Sequence, residues 1–153
     1  MNLLFRSVGA ASIAAATLAF AVGAHAAAPK IPMDNPAVAF LDTVINQKKT
    51  QEAFDKYVGP EYIQHNPGVP SGREAAIKLL SGFATPGSPV RYEFKRVLVD
   101  GDLVAIHAHL VPKPGDRGTA VVDIFRLENG KIVEHWDVLQ PVPEKAANTN
   151  TMF

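Results

Sequence analysis

Asp123-Ile124-Phe125-Arg126-Leu127-Glu128-Asn129-Gly130-Lys131-Ile132-Val133-Glu134-His135-Trp136-Asp137 is the stretch on which the fold turns. Apolar and polar residues alternate on both sides of Asn129-Gly130, the pattern of two antiparallel strands joined at a turn. Read outward, the same alternation fills Val90 to Val99 and Leu103 to Val111, separated by Asp100-Gly101. Beyond the Pro112 to Gly118 loop, Thr119 to Leu127 and Lys131 to Pro141 complete a meander of long strands. A continuous run of hairpins predicts an antiparallel sheet.

Upstream of Val90 the period becomes helical. Asp34-Asn35-Pro36 is a cap followed by proline at the first helical position, and Val38, Leu41, Val44 and Ile45 then fall on one stripe. Thr50 opens a second helix carrying Phe54 and Tyr57, stopped by Gly59-Pro60. Ser71-Gly72-Arg73-Glu74 has the form of a capping box, which predicts a third helix to about Leu80, closed by Gly82. Glu61 to Pro67, between them, is a compact segment too crowded by Pro67, Gly68 and Pro70 to be a long helix. Three N-terminal helices followed by a meander imply an α+β fold, with the helices covering one face of a curved antiparallel sheet.

Composition narrows the chemistry. The 153 residues are 47% apolar and 20% charged, with 15 basic and 15 acidic side chains in balance, the profile of one globular domain. No basic surplus is available to neutralise phosphates, so no nucleic-acid partner is expected. The absence of cysteine excludes disulfides, thiolate metal sites and cysteine nucleophiles. At the start, Arg6, the Ala-rich apolar run from Val8 to Val22 and the small residues of Ala24-His25-Ala26 have the layout of a secretory signal. Residues 1–26 are therefore expected to be removed, leaving 27–153 as a single periplasmic or secreted domain with no membrane attachment after cleavage.

Function shows first in the alternation of the strands. A turn at Asp100-Gly101 that pairs Val99 with Asp102 sets Phe94 opposite His107 and Tyr92 opposite His109. With the next loop centred near Gly115, Asp123 falls opposite His107, gathering two imidazoles and a carboxylate on one face. The last hairpin has two possible registers. A three-residue loop pairs Asp123 with His135, whereas a two-residue Asn129-Gly130 turn sets it opposite Trp136. The first is favoured because it keeps His135 and Asp137 on the polar face and turns Trp136 outward, toward a subunit contact in a homodimer. Arg126 and Glu134 are expected to pair on that outer face. His107 and His109 have the i, i+2 spacing that, with His65, His135 or Asp123, would complete a zinc or iron set. Such a spacing on a strand often arises by chance, so neither metal nor cofactor is expected.

Together with the helical start and Tyr62-Ile63-Gln64-His65-Asn66-Pro67, the Asp123 to Asp137 stretch resembles the SnoaL-like polyketide cyclases of the nuclear transport factor 2-like superfamily. The resemblance covers nearly all of 27–153. It implies a cone-shaped fold with a pocket between helices and sheet, and cofactor-independent aldol chemistry in which a pocket aspartate moves protons. The Asp123 segment is also similar to the strand of ketosteroid isomerases that carries a protonated aspartate, a system well known in its own right. The helix-borne aspartate base of those isomerases has no counterpart here, although His65 is placed to substitute for it. The resulting expectation is acid/base proton transfer next to a carbonyl, in an aldol-type cyclisation or isomerisation of a small apolar substrate. Asp123, His109, His135 and His65 are the expected catalytic groups, and Tyr62, His107, Tyr92, Phe94 and Trp136 the expected substrate contacts. The alternative is a periplasmic module that binds a small ligand without turnover. Phe153, at the end of a polar tail, suggests that the tail docks.

Overall fold

Asn35 starts the first helix as expected: its side-chain oxygen accepts from the Ala37 N–H at 3.0 Å, and Pro36 takes the first helical position. A computed structural model describes residues 30–153; the expected signal over 1–26 lies outside the described residues. Helix α1 (Pro36–Leu41) widens without a break into a π-helical turn, Asp42–Asn46. Helix α2 (Thr50–Tyr57) runs directly into strand β1 (Val58–Gln64), followed by α3 (Arg73–Phe83). Strands β2 (Arg91–Asp100), β3 (Leu103–Val111), β4 (Thr119–Glu128) and β5 (Lys131–Pro141) form the meander.

The sheet has five strands in the order β1-β5-β4-β3-β2, curved and unclosed, with β1 parallel to β5. The sequence does not announce β1, because Gly59 and Pro60 lie inside it. Proline is tolerated there since β1 is an edge strand. The capping box at Ser71 does not form. Gly72 caps α3 without a side-chain bond, and the Ser71 hydroxyl instead accepts from the Gln64 N–H at 3.1 Å. Gly82 lies within α3 rather than ending it.

Helices and sheet enclose an aromatic core. Phe40 meets Phe54 and Phe125 edge-on at centroid distances of 5.1 and 5.9 Å, and Phe54 meets Tyr62 at 6.1 Å. These rings, with Val104, Ile106 and Ile132, are almost wholly buried. Burial of this kind is the main stabilising contribution, at about 25 cal/mol per Å² of apolar surface.

Register decides which side chains face that core, and here three expectations are corrected. The β2–β3 turn is Gly101-Asp102, with Asp100 opposite Leu103, and a bulge follows between Phe94 and Arg96. His107 is therefore opposite Arg96, and His109 opposite Glu93. Between β3 and β4, Asp123 faces Ile106, one residue from the expected His107. One residue of slip turns a side chain to the opposite face, so His107 and His109 are on the outer side of the sheet and Asp123 on the inner, concave side. In the last hairpin Asn129 and Gly130, at φ 52° and 75°, form the tight two-residue turn, pairing Glu128 with Lys131. A bulge at Val133 then shifts the register, setting Phe125 opposite His135 and Asp123 opposite Asp137. His135 and Asp137 thus reach the concave face by a route neither considered register contains.

Candidate functional site

The floor of the concave face is polar at one place. Asp123, mid-strand in β4, and His135, from β5, are both less than a tenth exposed. His135 Nε2 lies 3.0 Å from Asp123 Oδ1, and the Tyr92 hydroxyl donates to Oδ2. Tyr92 is held from behind by the π-helical turn. The Asn46 side chain donates to the Tyr92 carbonyl at 3.1 Å and accepts from its N–H at 2.9 Å, pairing the free edge of β2 as a neighbouring strand would. π-turns within helices often occur at functional positions, and this one aims Asn46.

The wiring fixes where hydrogens sit. Asn66 N–H donates to Gln64 Oε1 at 2.9 Å, so that atom must be the amide oxygen. The same oxygen lies 3.0 Å from His135 Nδ1, which must therefore carry a hydrogen. Two bare acceptors facing each other would repel, so one further hydrogen lies between Nε2 and Asp123 Oδ1. The pair is either carboxylate with imidazolium or carboxylic acid with neutral imidazole, and in both forms it holds one transferable proton at net zero charge.

Asp137 joins this pair from the next inward position on β5. Both of its oxygens accept from Asn66 Nδ2 at 2.8 Å, and Asn66 is oriented by accepting from the Gly68 N–H at 2.8 Å. Above these groups opens a cavity of about 140 Å³. Its walls are mostly apolar, with Phe40, Leu41 and Ile45 from the first helical segment and Leu79, Leu80 and Phe83 from α3. An apolar cavity of about 150 Å³ accepts benzene, so this one matches a single ring. Tyr62 lines it, its oxygen 3.4 Å from Gln64 Nε2. Burial, and then the charges of Asp123 and Asp137, push the Tyr62 phenol well above its ordinary pKa; Tyr92 is raised by the same causes. Both hydroxyls therefore remain donors.

Asp123, His135, Tyr62 and Tyr92 thus meet at one cavity, while the other sequence candidates do not. His107 and His109 are on the outer face, stacked against the ring of Phe153 at centroid distances of 5.8 and 4.2 Å. The C-terminal tail does fold back, and it covers these two histidines. Burial, reinforced by the Arg96 and Lys95 charges, lowers the His107 pKa. Phe94 packs at the core margin beside Tyr92 without lining the cavity. His65 and Trp136 are turned outward by the parity of β1 and β5, and stack on each other at 4.7 Å. His65 also bonds Glu134 at 2.8 Å, and Glu134 pairs with Arg126 at 2.7 Å, the outer-face ion pair expected from the sequence. Asp137, Gln64, Asn66 and Asn46 were missed as site residues. The signal for Gln64 and Asn66 was their i, i+2 spacing from Tyr62, which is legible only once that segment is read as a strand.

The zinc or iron set built on His107 and His109 does not assemble, since these residues and Asp123 are on opposite faces. A different group, Asp123, His135 and Asp137, brings one donor atom from each residue within 4.8 Å of the others. To hold a metal ion there, His135 Nε2 and Asp123 Oδ1 would have to exchange their mutual hydrogen bond for the ion.

Residues 37–135 match the SnoaL-like domain family. The chain belongs to this family. Comparison with curated proteins finds no match. Among solved structures, the SnoaL-like chain is similar to TsrD from Streptomyces laurentii at 22% identity and a TM-score of 0.56, covering 70% of this chain and 87% of that one. A ketosteroid isomerase candidate from Kribbella flavida matches at 17% identity and 0.58, over 74% and 81% of the two chains. A polyketide cyclase candidate from Bacillus cereus matches at 24% and 0.56, over 68% and 71%. At these identities the likeness shows the fold, which is nuclear transport factor 2-like.

Proposed function

We propose that this SnoaL-like domain transfers protons next to a carbonyl group of a small, largely apolar ring compound, in an aldol-type cyclisation or an isomerisation. The observation that carries the reading is the buried Asp123–His135 pair, which holds one proton at the floor of a ring-sized apolar cavity. In the carboxylate–imidazolium form, Asp123 takes the hydrogen from the carbon next to the carbonyl. The C–H bond breaks, an O–H bond forms on the carboxyl, and the electron pair moves onto the carbonyl oxygen as an enolate. Tyr62, kept un-ionised by its surroundings, is the available O–H donor to that oxygen. Asp123 then returns the proton to a different carbon, completing an isomerisation. Alternatively the enolate carbon attacks a second carbonyl and the proton goes to the resulting alkoxide, completing a cyclisation. His135 stabilises the carboxylate throughout and is a positioning residue, since its second nitrogen is committed to Gln64. No step requires a cofactor.

Cyclohexanone in D2O is a suitable probe, because exchange of its α-hydrogens reports enolate formation without knowledge of the natural substrate. The protein should accelerate deuterium incorporation, followed by proton NMR, and Asp123→Asn should return it to the buffer rate. Cavity binding of the ketone with no exchange above buffer would leave a ligand-binding module in place of an enzyme.

The same reading includes export through the 1–26 leader, checked by N-terminal sequencing of secreted protein. It also includes a homodimer through the outer sheet face. Support for the dimer comes from Leu98 and Val138, which are 64% and 65% exposed on the sheet. Sedimentation of Trp136→Ala tests it, with a shift toward monomer expected.

A further inference from the structure

The cavity is unbalanced in charge. Among the described residues no lysine or arginine lines it, and its charged groups are Asp123, His135 and Asp137. Asp123 and His135 cancel each other, whatever the position of their shared proton. Asp137 has no such counterpart: it takes part in no ion pair among the described residues, and its only hydrogen-bond donor is the neutral Asn66 amide. A carboxylate has about four acceptor positions, more than the single Asn66 amide nitrogen fills, and Asp137 lines the cavity. The negative field is felt by its neighbours, since the Asp123 and Asp137 charges both act to hold the Tyr62 and Tyr92 hydroxyls in their protonated form. A half-buried carboxylate in apolar surroundings gains most from a cation that also fills the apolar space.

We infer that the cavity takes a ring-sized ligand bearing a cationic amine, with the ammonium donating to Asp137 and the ring lying against the apolar wall. The inference rests on the proposed use of this cavity as the ligand site and adds the charge of the ligand. It equally sets what the site refuses. A carboxylate or phosphate would be brought beside Asp137 with no lysine or arginine to receive it, so anionic rings are excluded by repulsion and by their lost hydration. For the proton-transfer reading, this makes the substrate class an amino ketone in preference to a keto acid.

The test is a set of near-isosteric probes, benzylamine, benzyl alcohol and benzoate, titrated by protein-observed NMR at pH 7.5 in the presence of EDTA. Benzylamine is expected to bind at least about tenfold more tightly than benzyl alcohol, the usual scale of one charge-assisted hydrogen bond, with benzoate weakest. In Asp137→Asn the amine and alcohol affinities should come within about threefold of each other. Benzoate binding as tightly as the alcohol, or an amine preference that survives Asp137→Asn, would overturn the inference. If none of the three rings perturbs cavity resonances, the ligand-site reading fails and the charge assignment fails with it. A protein that selects the amine yet exchanges no ketone hydrogens keeps this inference and loses only the proposed chemistry.

Discussion

One hairpin, β4–β5, takes part in two histidine–carboxylate pairs, one on each face, and their fates differ. On the concave side His135 meets Asp123 at 3.0 Å; on the outer side His65, just past the end of β1, meets Glu134 at 2.8 Å. By distance alone they are equivalent. Glu134, however, is shared with Arg126, whose hydrogen bond, followed by that of His65, lowers its pKa. The His65 side chain is 40% exposed, so water and salt screen the pair and its contribution is small. The inner pair has no arginine and little water, and its second imidazole nitrogen is tied to Gln64. Identical functional groups thus give surface electrostatics on one side and a confined proton on the other. The difference is made by burial and by where the remaining hydrogen bonds go.

The sharpest way to break this comparison is to disable each face in turn. Asp123→Asn should lower turnover of a true carbonyl substrate by about 10²- to 10⁴-fold, the usual share of one acid/base group, while His109→Gln changes it less than about twofold. A large loss in His109→Gln with Asp123→Asn active would invert the assignment of faces. Stability should divide along the same plane. Phe125→Ala, in the core, is expected to cost about 3–5 kcal/mol in denaturant unfolding, and Lys113→Ala in the exposed loop after β3 less than about 0.5 kcal/mol.

A smaller effect tests the loop that seats His109. Gly118 has φ +72°, and a methyl group there would come within 2.3 Å of the Leu110 carbonyl and 2.6 Å of His109 Nε2. Gly118→Ala should therefore destabilise by about 1–3 kcal/mol and displace the His109 resonances, with the cavity unaffected. Smallest is a pH effect on the outer face. Burial lowers the folded-state pKa of His107, so the unfolded chain binds its proton first as the pH falls. The stability contribution linked to this residue is lost as the pH drops below the ordinary histidine value of about 6.5, and His107→Gln should flatten that decline. Urea midpoints at pH 7.5 and 5.5 in both proteins measure it.

These contrasts also show what a sequence can and cannot convey here. The helical stripe of α1, the Thr50 helix and the limits of all four meander strands follow from periodicity, because burial imposes the period directly. Which face a strand residue occupies depends on parity, and parity is lost with a single bulge or a one-residue difference in a turn. His107 and His109 were assigned to the wrong face for this reason, since the one-residue difference between β3 and β4 that sets Asp123 opposite Ile106 leaves the alternation of both strands intact. His135 and Asp137 were placed on the correct face although the tight turn alone would have sent them outward; the bulge at Val133 restores them. Strand β1 was hidden by Gly59 and Pro60, and with it went the bonds from Gln64 and Asn66 that set the protonation of the site. Asp123 was legible because an acidic residue between Val122 and Ile124 is costly unless paired, whatever the register.

The confined proton itself can be observed. Nitrogen-15 NMR of His135 should show Nδ1 bearing a hydrogen across the neutral pH range, with Asp123→Asn shifting the Nε2 resonance far more than that of Nδ1. A neutral His135 with a bare Nδ1 and its hydrogen on Nε2 would contradict the Gln64 tether, and with it the shared proton on which the proposed chemistry depends.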